Sequence, residues 1–375
     1  MFEHENALHE LMQKDSFSNK LKATHRVIKE TFSFIARISI TIYDPETEIL
    51  KTFLHSSGKD DPLSHYQSLF ENAPSLKNIL ERGRPRVVND LNKFAQGEHE
   101  HTQKIKHQGY AASYTMPMYN EGIFIGFLFF NADKKDVFTE NVLRQLDIYG
   151  HMISLLVINE FSSIQILTAA IKTTGKLSHL RDPETRGHID RMSHYSRIIA
   201  NDLADKYDLN DSYIEHIFMF APLHDIGKIG IPDNILLKPG SLDEKEWSIM
   251  QTHAHLGREV IDDLLHNFGL INFGHVSILR NIAEYHHEAI NGTGYPSGMK
   301  GSEIPLEARI VAVADVFDAL TSVRSYKEAW NNDKAVRALK ELAGETLDQD
   351  CVDALVRNMD KVVEIQRQLF QDNFS

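Results

Sequence analysis

The sequence predicts two domains of different class: an N-terminal α+β domain with an antiparallel sheet, and a C-terminal all-α helical bundle, joined by a long helix. Three observations predict this. The chain has 375 residues, more than one ordinary core organises. In the first half, Ile38-Ser39-Ile40-Thr41-Ile42-Tyr43 alternates apolar with polar, the mark of a half-buried strand. The second half reads as helical almost throughout, interrupted by loops rich in Gly and Pro. The boundary is expected near residue 160, giving domains 1–160 and 161–375.

Each element follows from local pattern. A polar helix over residues 18–30 precedes the first strand. Asp44-Pro45-Glu46-Thr47 supplies turn residues, and 49–54 reads as the returning strand. A second hairpin joins 112–119 to 123–131 through Asn120-Glu121-Gly122. Between the hairpins, 75–82 reads as a helix ended by Gly83, and 85–89 as a short strand. Residues 137–158 place Val142, Leu146, Tyr149, Ile153 and Leu156 at helical spacing. From 158 to 180 the chain has no Pro and the single Gly175, so the connection is expected to be a stiff helix, able to pass a rotation between domains.

The bulk numbers bound the function. Hydrophobic content of 42% and charged content of 25% are those of a globular protein. The longest apolar runs, such as Ile123 to Phe130, fall far short of a membrane span of about 20 residues. The polar start Met1-Phe2-Glu3-His4-Glu5-Asn6 lacks the basic and apolar regions of a secretory signal. Cys351 is the one cysteine, which excludes an internal disulfide and a thiolate cluster. A cytoplasmic location is therefore expected. Net charge of -13 argues against a broad nucleic-acid footprint, though a small phosphate ligand needs only a few local cations.

The first half carries no metal cluster, phosphate loop or nucleophile motif, and its histidines are scattered. It resembles a GAF domain in Ile40-Thr41-Ile42-Tyr43, in Gly83-Arg84-Pro85-Arg86-Val87-Val88-Asn89-Asp90-Leu91 and in Gly122 to Asn131. The resemblance implies a sensory or dimerising module, with a small-molecule ligand and a second copy of the chain as partners.

The second half is organised around Ala221-Pro222-Leu223-His224-Asp225-Ile226-Gly227-Lys228. An imidazole and a carboxylate stand side by side, an ammonium follows three residues on, and apolar residues flank all three. Burying such groups requires a metal, an anion or each other as compensation. Arg181-Asp182-Pro183-Glu184 starts a helix, with Asp182 as N-cap and Pro183 in the first turn. Glu184 and His188 then share a face at i and i+4, where an ordinary surface pair is the alternative. His224 and Asp225 are expected on a later helix, and His253 at the end of a helix over 247–252. His286 and His287 stand together before the break Asn291-Gly292-Thr293-Gly294-Tyr295-Pro296, where both can turn toward one centre. Asp315 and Asp318 lie at i and i+3 on a largely apolar helix, and buried carboxylates so spaced want a cation. All these donors are N or O, which suits iron, manganese, zinc or nickel. One ion needs about four to six of them, so two or more ions are expected.

With these residues named, positions from about 165 to 360 resemble the HD-GYP domain, a subgroup of the HD metal-dependent phosphohydrolases. The matching motifs are Leu223 to Pro232, His286-His287-Glu288, Gly292-Thr293-Gly294-Tyr295-Pro296, and Ala308-Arg309-Ile310 through Ala314-Asp315-Val316-Phe317-Asp318-Ala319-Leu320-Thr321-Ser322. The resemblance implies metal ligands at Glu184, His188, His224, Asp225, His253, His286, His287 and Asp315. It implies two or three divalent ions, iron first and manganese, zinc or nickel otherwise. Lys228 and Asp225 would be catalytic, and Asp318 would serve a third ion or position the water. Lys228, Tyr295, Arg324 and Lys327 would contact substrate, and Arg309 would be an ion-pair partner in the core. The implied reaction is hydrolysis of the bacterial second messenger cyclic di-GMP to pGpG, or on to GMP, under control of the GAF-like domain and of signalling partners.

The sequence departs from the family pattern at Ala289-Ile290-Asn291, at Ser325 and at Thr346-Leu347-Asp348-Gln349-Asp350. No metal ligand is lost. The altered loop keeps two alternatives open: a metal-loaded cyclic di-GMP receptor without turnover, and hydrolysis of a different nucleotide.

Overall fold

The alternating stretch becomes β1 (Ile35–Asp44), the strand on which the first part of the chain is built. The computed structural model describes residues 6, 8–13, 15–45, 47–57, 67–94, 109–179, 186–267, 275–322 and 329–371. The chain divides into two compact units, Met1–Ser162 and Ser163–Ser375.

In the first unit, α1 (Phe17–Thr31) starts at Ser16, whose side chain accepts from the Asn19 backbone N–H, as an N-cap should. β1 pairs antiparallel with β2 (Ile49–Ser57) on one side and β6 (Ile123–Ala132) on the other. β3 (Gln67–Leu69), β4 (Arg86–Val88) and β5 (Ala112–Asn120) complete a six-stranded sheet in the order β3-β2-β1-β6-β5-β4. The β5–β6 turn carries Glu121 and Gly122 at φ of +49° and +84°, the mirror-image turn whose twist matches that of the flanking strands. Between the hairpins lies α2 (Pro74–Arg82), ended by Gly83 as the spacing predicts. The helix α3 runs Glu140–His179, with Leu146, Ile153 and Val157 fully buried in the sheet's core.

Two features of this unit differ from the sequence reading. β3 has no counterpart among the expected elements, because Gln67-Ser68-Leu69 holds none of the β-branched or aromatic residues that mark β4, with its two valines. β1 is not half-buried: Ile38 and Ile40 pack into the main core of the unit, yet Arg37 and Ser39 on the opposite face are buried as well, at 0% and 2% exposure. There Arg37 donates to the Ser39 hydroxyl at 2.5 Å. Alternation reports side-chain polarity, and polarity equals exposure only when nothing covers the polar face.

The second unit forms no strand among its described residues. Its main helices are α4 (Arg186–Asp202), α5 (Asp211–Phe220), α6 (Glu244–Gln251), α7 (His253–Asn267), α8 (Val276–Tyr285), α9 (Leu306–Thr321), α10 (Asn332–Leu342), α11 (Gln349–Arg357) and α12 (Met359–Gln371). Asn210, Asn331 and Asp348 cap α5, α10 and α11 with their side chains. Tyr195, Ile217, Phe220, Leu279, Ile310 and Phe317 are completely or almost completely buried in its core, each contributing about 1.5–3 kcal/mol of burial. α4 packs on α5, α9 and α12, while α7 lies against the turn at 226–230 and against α8. Arg309 pairs with Asp348 at 2.7 Å and donates to the Ile304 carbonyl, the structural place expected of it.

The local backbone around the central motif also corrects the sequence reading. His224 and Asp225 are not inside a helix; they lie between two 3-10 turns, Ala221–Leu223 and Ile226–Gly230. Pro222 and two glycines disfavour a longer α-helix here, and short 3-10 pieces are the usual outcome. His253 opens α7 instead of closing the preceding helix. No helix among the described residues is long and apolar enough to cross a membrane.

Candidate metal centre

Five segments of the second unit deliver the polar groups. α4 contributes His188, the paired 3-10 turns His224, Asp225 and Lys228, α7 His253, the C-terminal end of α8 His286 and His287, and α9 Asp315. Their donor atoms fall into two groups, each within 4.8 Å internally: His188, His224 and Asp315; and Asp225, His253, His286 and His287. The groups adjoin through neighbouring residues, with His224 Nε2 3.1 Å from Asp225 Oδ2.

The ring orientations are fixed from behind. His224 Nδ1 lies 2.9 Å from the Ala221 carbonyl, His253 Nδ1 2.7 Å from that of Met250, and His286 Nδ1 2.9 Å from that of Ile282. His188 Nδ1 lies 2.7 Å from Asp318 Oδ2. A neutral ring held this way donates from Nδ1 and keeps its lone pair on Nε2. Those lone pairs point at carboxylate oxygens. His253 Nε2 and His286 Nε2 lie 3.2 and 3.6 Å from Asp225 Oδ1, and His188 Nε2 lies 3.8 Å from Asp315 Oδ1. Asp225 Oδ1 and the Nε2 atoms of His253 and His286 are buried and make no directed hydrogen bond. Leaving such atoms unsatisfied costs about 1–3 kcal/mol each. An all-nitrogen-and-oxygen set with converging lone pairs fits divalent cations, so the His/Asp cluster could hold metal.

The charges agree with that fit. Burial would raise the Asp225 carboxyl, but Lys228, with Nζ at 2.6 Å, and His224 outweigh it and hold it well below the usual carboxylate range. Burial lowers His286, and burial followed by the neighbouring His286 ring pushes His287 far down. Both are therefore neutral, the form that ligates. Burial, then the Asp225 charge, raises the Tyr295 phenol, which stays protonated.

Of the eight sequence-predicted metal residues, seven come together in the two groups; Glu184 lies outside the described residues, as do Arg324 and Lys327. Lys228 stands at the cluster beside Asp225, and the Tyr295 ring lies 4.8 Å from His287 and 6.2 Å from His253. Asp318 is placed differently from expectation. It is fully buried, and its oxygens accept from Arg191 at 2.7 and 3.0 Å and from the Ser322 hydroxyl at 2.9 Å, besides facing His188. With both oxygens so occupied it stands behind His188 and is not one of the converging donors. Burial would raise its carboxyl, but His188 and Arg191 together hold it low. The buried Arg191 was missed by the sequence reading; its signal was the spacing of three from His188, which puts both on one helix face.

The loop after α8 is held by Glu288, which accepts from the backbone N–H groups of Ser297 and Met299 at 2.7 and 3.0 Å. At Gly294 an added Cβ would lie 2.5 Å from the His287 carbonyl oxygen and 2.2 Å from the Ala289 nitrogen. Only glycine lets this loop close on the histidine pair and bring Tyr295 against it. Two of the departures from the family pattern lie side by side: Ile290 and Asn291 donate backbone bonds to the carbonyls of Thr346 and Glu345.

Comparison with known proteins locates the same region. Residues 177–351 match the family model described as "HD domain". The chain is 46% identical over 185 residues to "Cyclic di-GMP phosphodiesterase response regulator RpfG" of Xanthomonas campestris pv. campestris, covering 49% of this chain and 46% of that protein. It is 33% identical over 261 residues to "3'3'-cGAMP-specific phosphodiesterase 2" of Vibrio cholerae, covering 65% of this chain and 47% of that protein. The chain thus spans about half the length of these relatives. Among solved structures it is similar to the phycocyanobilin-bound GAF domain of a cyanobacterial phytochrome, at 12% identity and a TM-score of 0.34 over 41% of this chain and 90% of that one. The residues that build the centre all lie inside the segment that matches the HD domain model, and the similar protein from Xanthomonas campestris is named as a cyclic di-GMP phosphodiesterase.

Proposed function

We propose that the chain is a metal-dependent phosphodiesterase that opens cyclic di-GMP to pGpG. The observation that carries this is the pair of donor groups adjoining at His224–Asp225 with the Lys228 ammonium attached. The first group would take one divalent ion and the second another, with Asp225 between them and Glu184, at helical spacing from His188, completing the first. Iron is the first candidate for both. When bound, the ions supply a nucleophile at neutral pH and neutralise charge on the phosphoryl oxygens. Lys228 adds a positive charge where a phosphoryl oxygen would meet Asp225. Tyr295 lines the pocket as a neutral phenol, and Arg324 and Lys327 are assigned to the phosphates or the guanine. Asp318 and Arg191 position His188, and the first unit acts as a GAF-like sensory or dimerising module in a cytoplasmic protein.

The test is turnover by anaerobically purified chain, loaded with Fe(II) or Mn(II) under reducing conditions. Cyclic di-GMP is expected to yield pGpG, activity is expected to vanish with a chelator, and manganese is expected to restore it. Tight binding with no pGpG would replace hydrolysis by the receptor reading, and preference for 3'3'-cGAMP would move the substrate assignment.

A separate expectation concerns positioning. Asp318→Asn keeps the shape but removes the charge behind His188, and is expected to weaken metal binding by about 10–100-fold. Titration with Mn(II) measures this, and unchanged affinity would remove Asp318 from that role.

A further inference from the structure

We infer that Trp247 is the platform on which a purine of the substrate stacks. This rests on the phosphodiester reading above and adds the residue that holds the base. Trp247 is 48% exposed, although a large aromatic ring gains most from burial. α6, which carries it, has no buried residue at all, so the indole is not there to fill a core. The helix is instead held at its start by a capping box, in which Asp243 accepts from the Glu246 N–H and Glu246 accepts from the Asp243 N–H. Lys238 pairs with Glu246 and ties the same turn to the preceding loop. An exposed ring thus stands on a fixed support.

Its position gives it a use. The indole meets Tyr295 edge-on with centroids 6.3 Å apart, and Tyr295 in turn lies 4.8 Å from His287. A row of rings therefore leads outward from the metal-binding group to the exposed indole. A phosphodiester seated on the donor groups has its base one ribose away, and Trp247 presents an exposed aromatic surface at the outer end of that row. Stacking on a ring face is tolerant of the base, because every base has a π-face. Trp247 therefore supplies affinity for cyclic dinucleotides in general and leaves the choice between guanine and adenine to groups that touch base edges.

The test uses the full chain loaded with Mn(II). Trp247→Ala is expected to raise KM for cyclic di-GMP about tenfold, the effect of losing one stacked base, with kcat, metal content and melting temperature unchanged. Trp247→Phe is expected to restore most of the loss, and 3'3'-cGAMP is expected to suffer the same weakening. In Trp330→Phe, which leaves Trp247 as the remaining tryptophan, cyclic di-GMP is expected to quench the fluorescence. Wild-type turnover with an unchanged KM in Trp247→Ala overturns this inference alone. A fall in kcat or metal content at constant KM marks a structural role and also overturns it. Wild-type binding without turnover, weakened about tenfold by Trp247→Ala in calorimetry, retains the stacking role while hydrolysis fails. Neither binding nor turnover overturns both.

Discussion

Asp225→Ala is expected to strip metal from the chain and to lower kcat/KM for cyclic di-GMP by at least about a thousandfold, on the order of 4 kcal/mol of transition-state stabilisation. Asp225 faces four of the described side chains of the centre. One oxygen faces His253 and His286 at 3.2 and 3.6 Å, and the other faces His224 at 3.1 Å and Lys228 at 2.6 Å. Without the carboxylate, the second group keeps three imidazoles and loses its one negative charge. Lys228 also loses the charge that neutralises it, so its ammonium would repel an incoming cation. Asp225→Asn separates charge from shape, and is expected to lose metal nearly as completely. Elemental analysis of the purified variants together with steady-state kinetics reads both effects. Full metal occupancy with retained turnover in Asp225→Ala would refute the centre proposed here.

Gly227→Ala is expected to destabilise the second unit by about 3 kcal/mol, the upper end for overpacking, and to lower its melting temperature by about 10 °C. A Cβ at Gly227 would sit 1.9 Å from the His253 carbonyl oxygen and 2.4 Å from the Gly257 nitrogen. Both obstacles are backbone, so no side chain can rotate away, and the 226–230 turn must part from α7. That separation pulls Asp225 from His253, so metal affinity is expected to fall together with stability. Melting curves of metal-free protein isolate the packing cost, and Mn(II) titration reads the second effect. A metal-free melting temperature within about 2 °C of wild type would show that the turn and α7 are not held as tightly as the contact implies.

Much of the fold and of the centre was legible because it is local. Hairpins announce themselves by period two and by turn residues such as Asn120-Glu121-Gly122, and helix ends by a glycine such as Gly83. The seven donors that meet in the centre were readable as residue types that apolar surroundings cannot hold singly. What failed to be read was set by neighbours distant in sequence. Asp315 and Asp318 are equivalent by spacing, and only the packing of α9 on α4 turns one toward the donors and the other toward Arg191. The His224–Asp225 backbone looked helical because the apolar spacing around it ignores Pro222 and the close approach at Gly227.

By itself, then, the sequence determined the two fold classes, the order of the elements and the chemistry of the donor set, since periodicity, capping and polarity act over a few residues. Only the tertiary structure decided that both faces of β1 are covered, that Asp318 stands behind His188, and that Gly294 lets the loop seat Tyr295 on the histidine pair. Those outcomes depend on which surface packs against which, and helix spacing carries no information about the partner that will meet it.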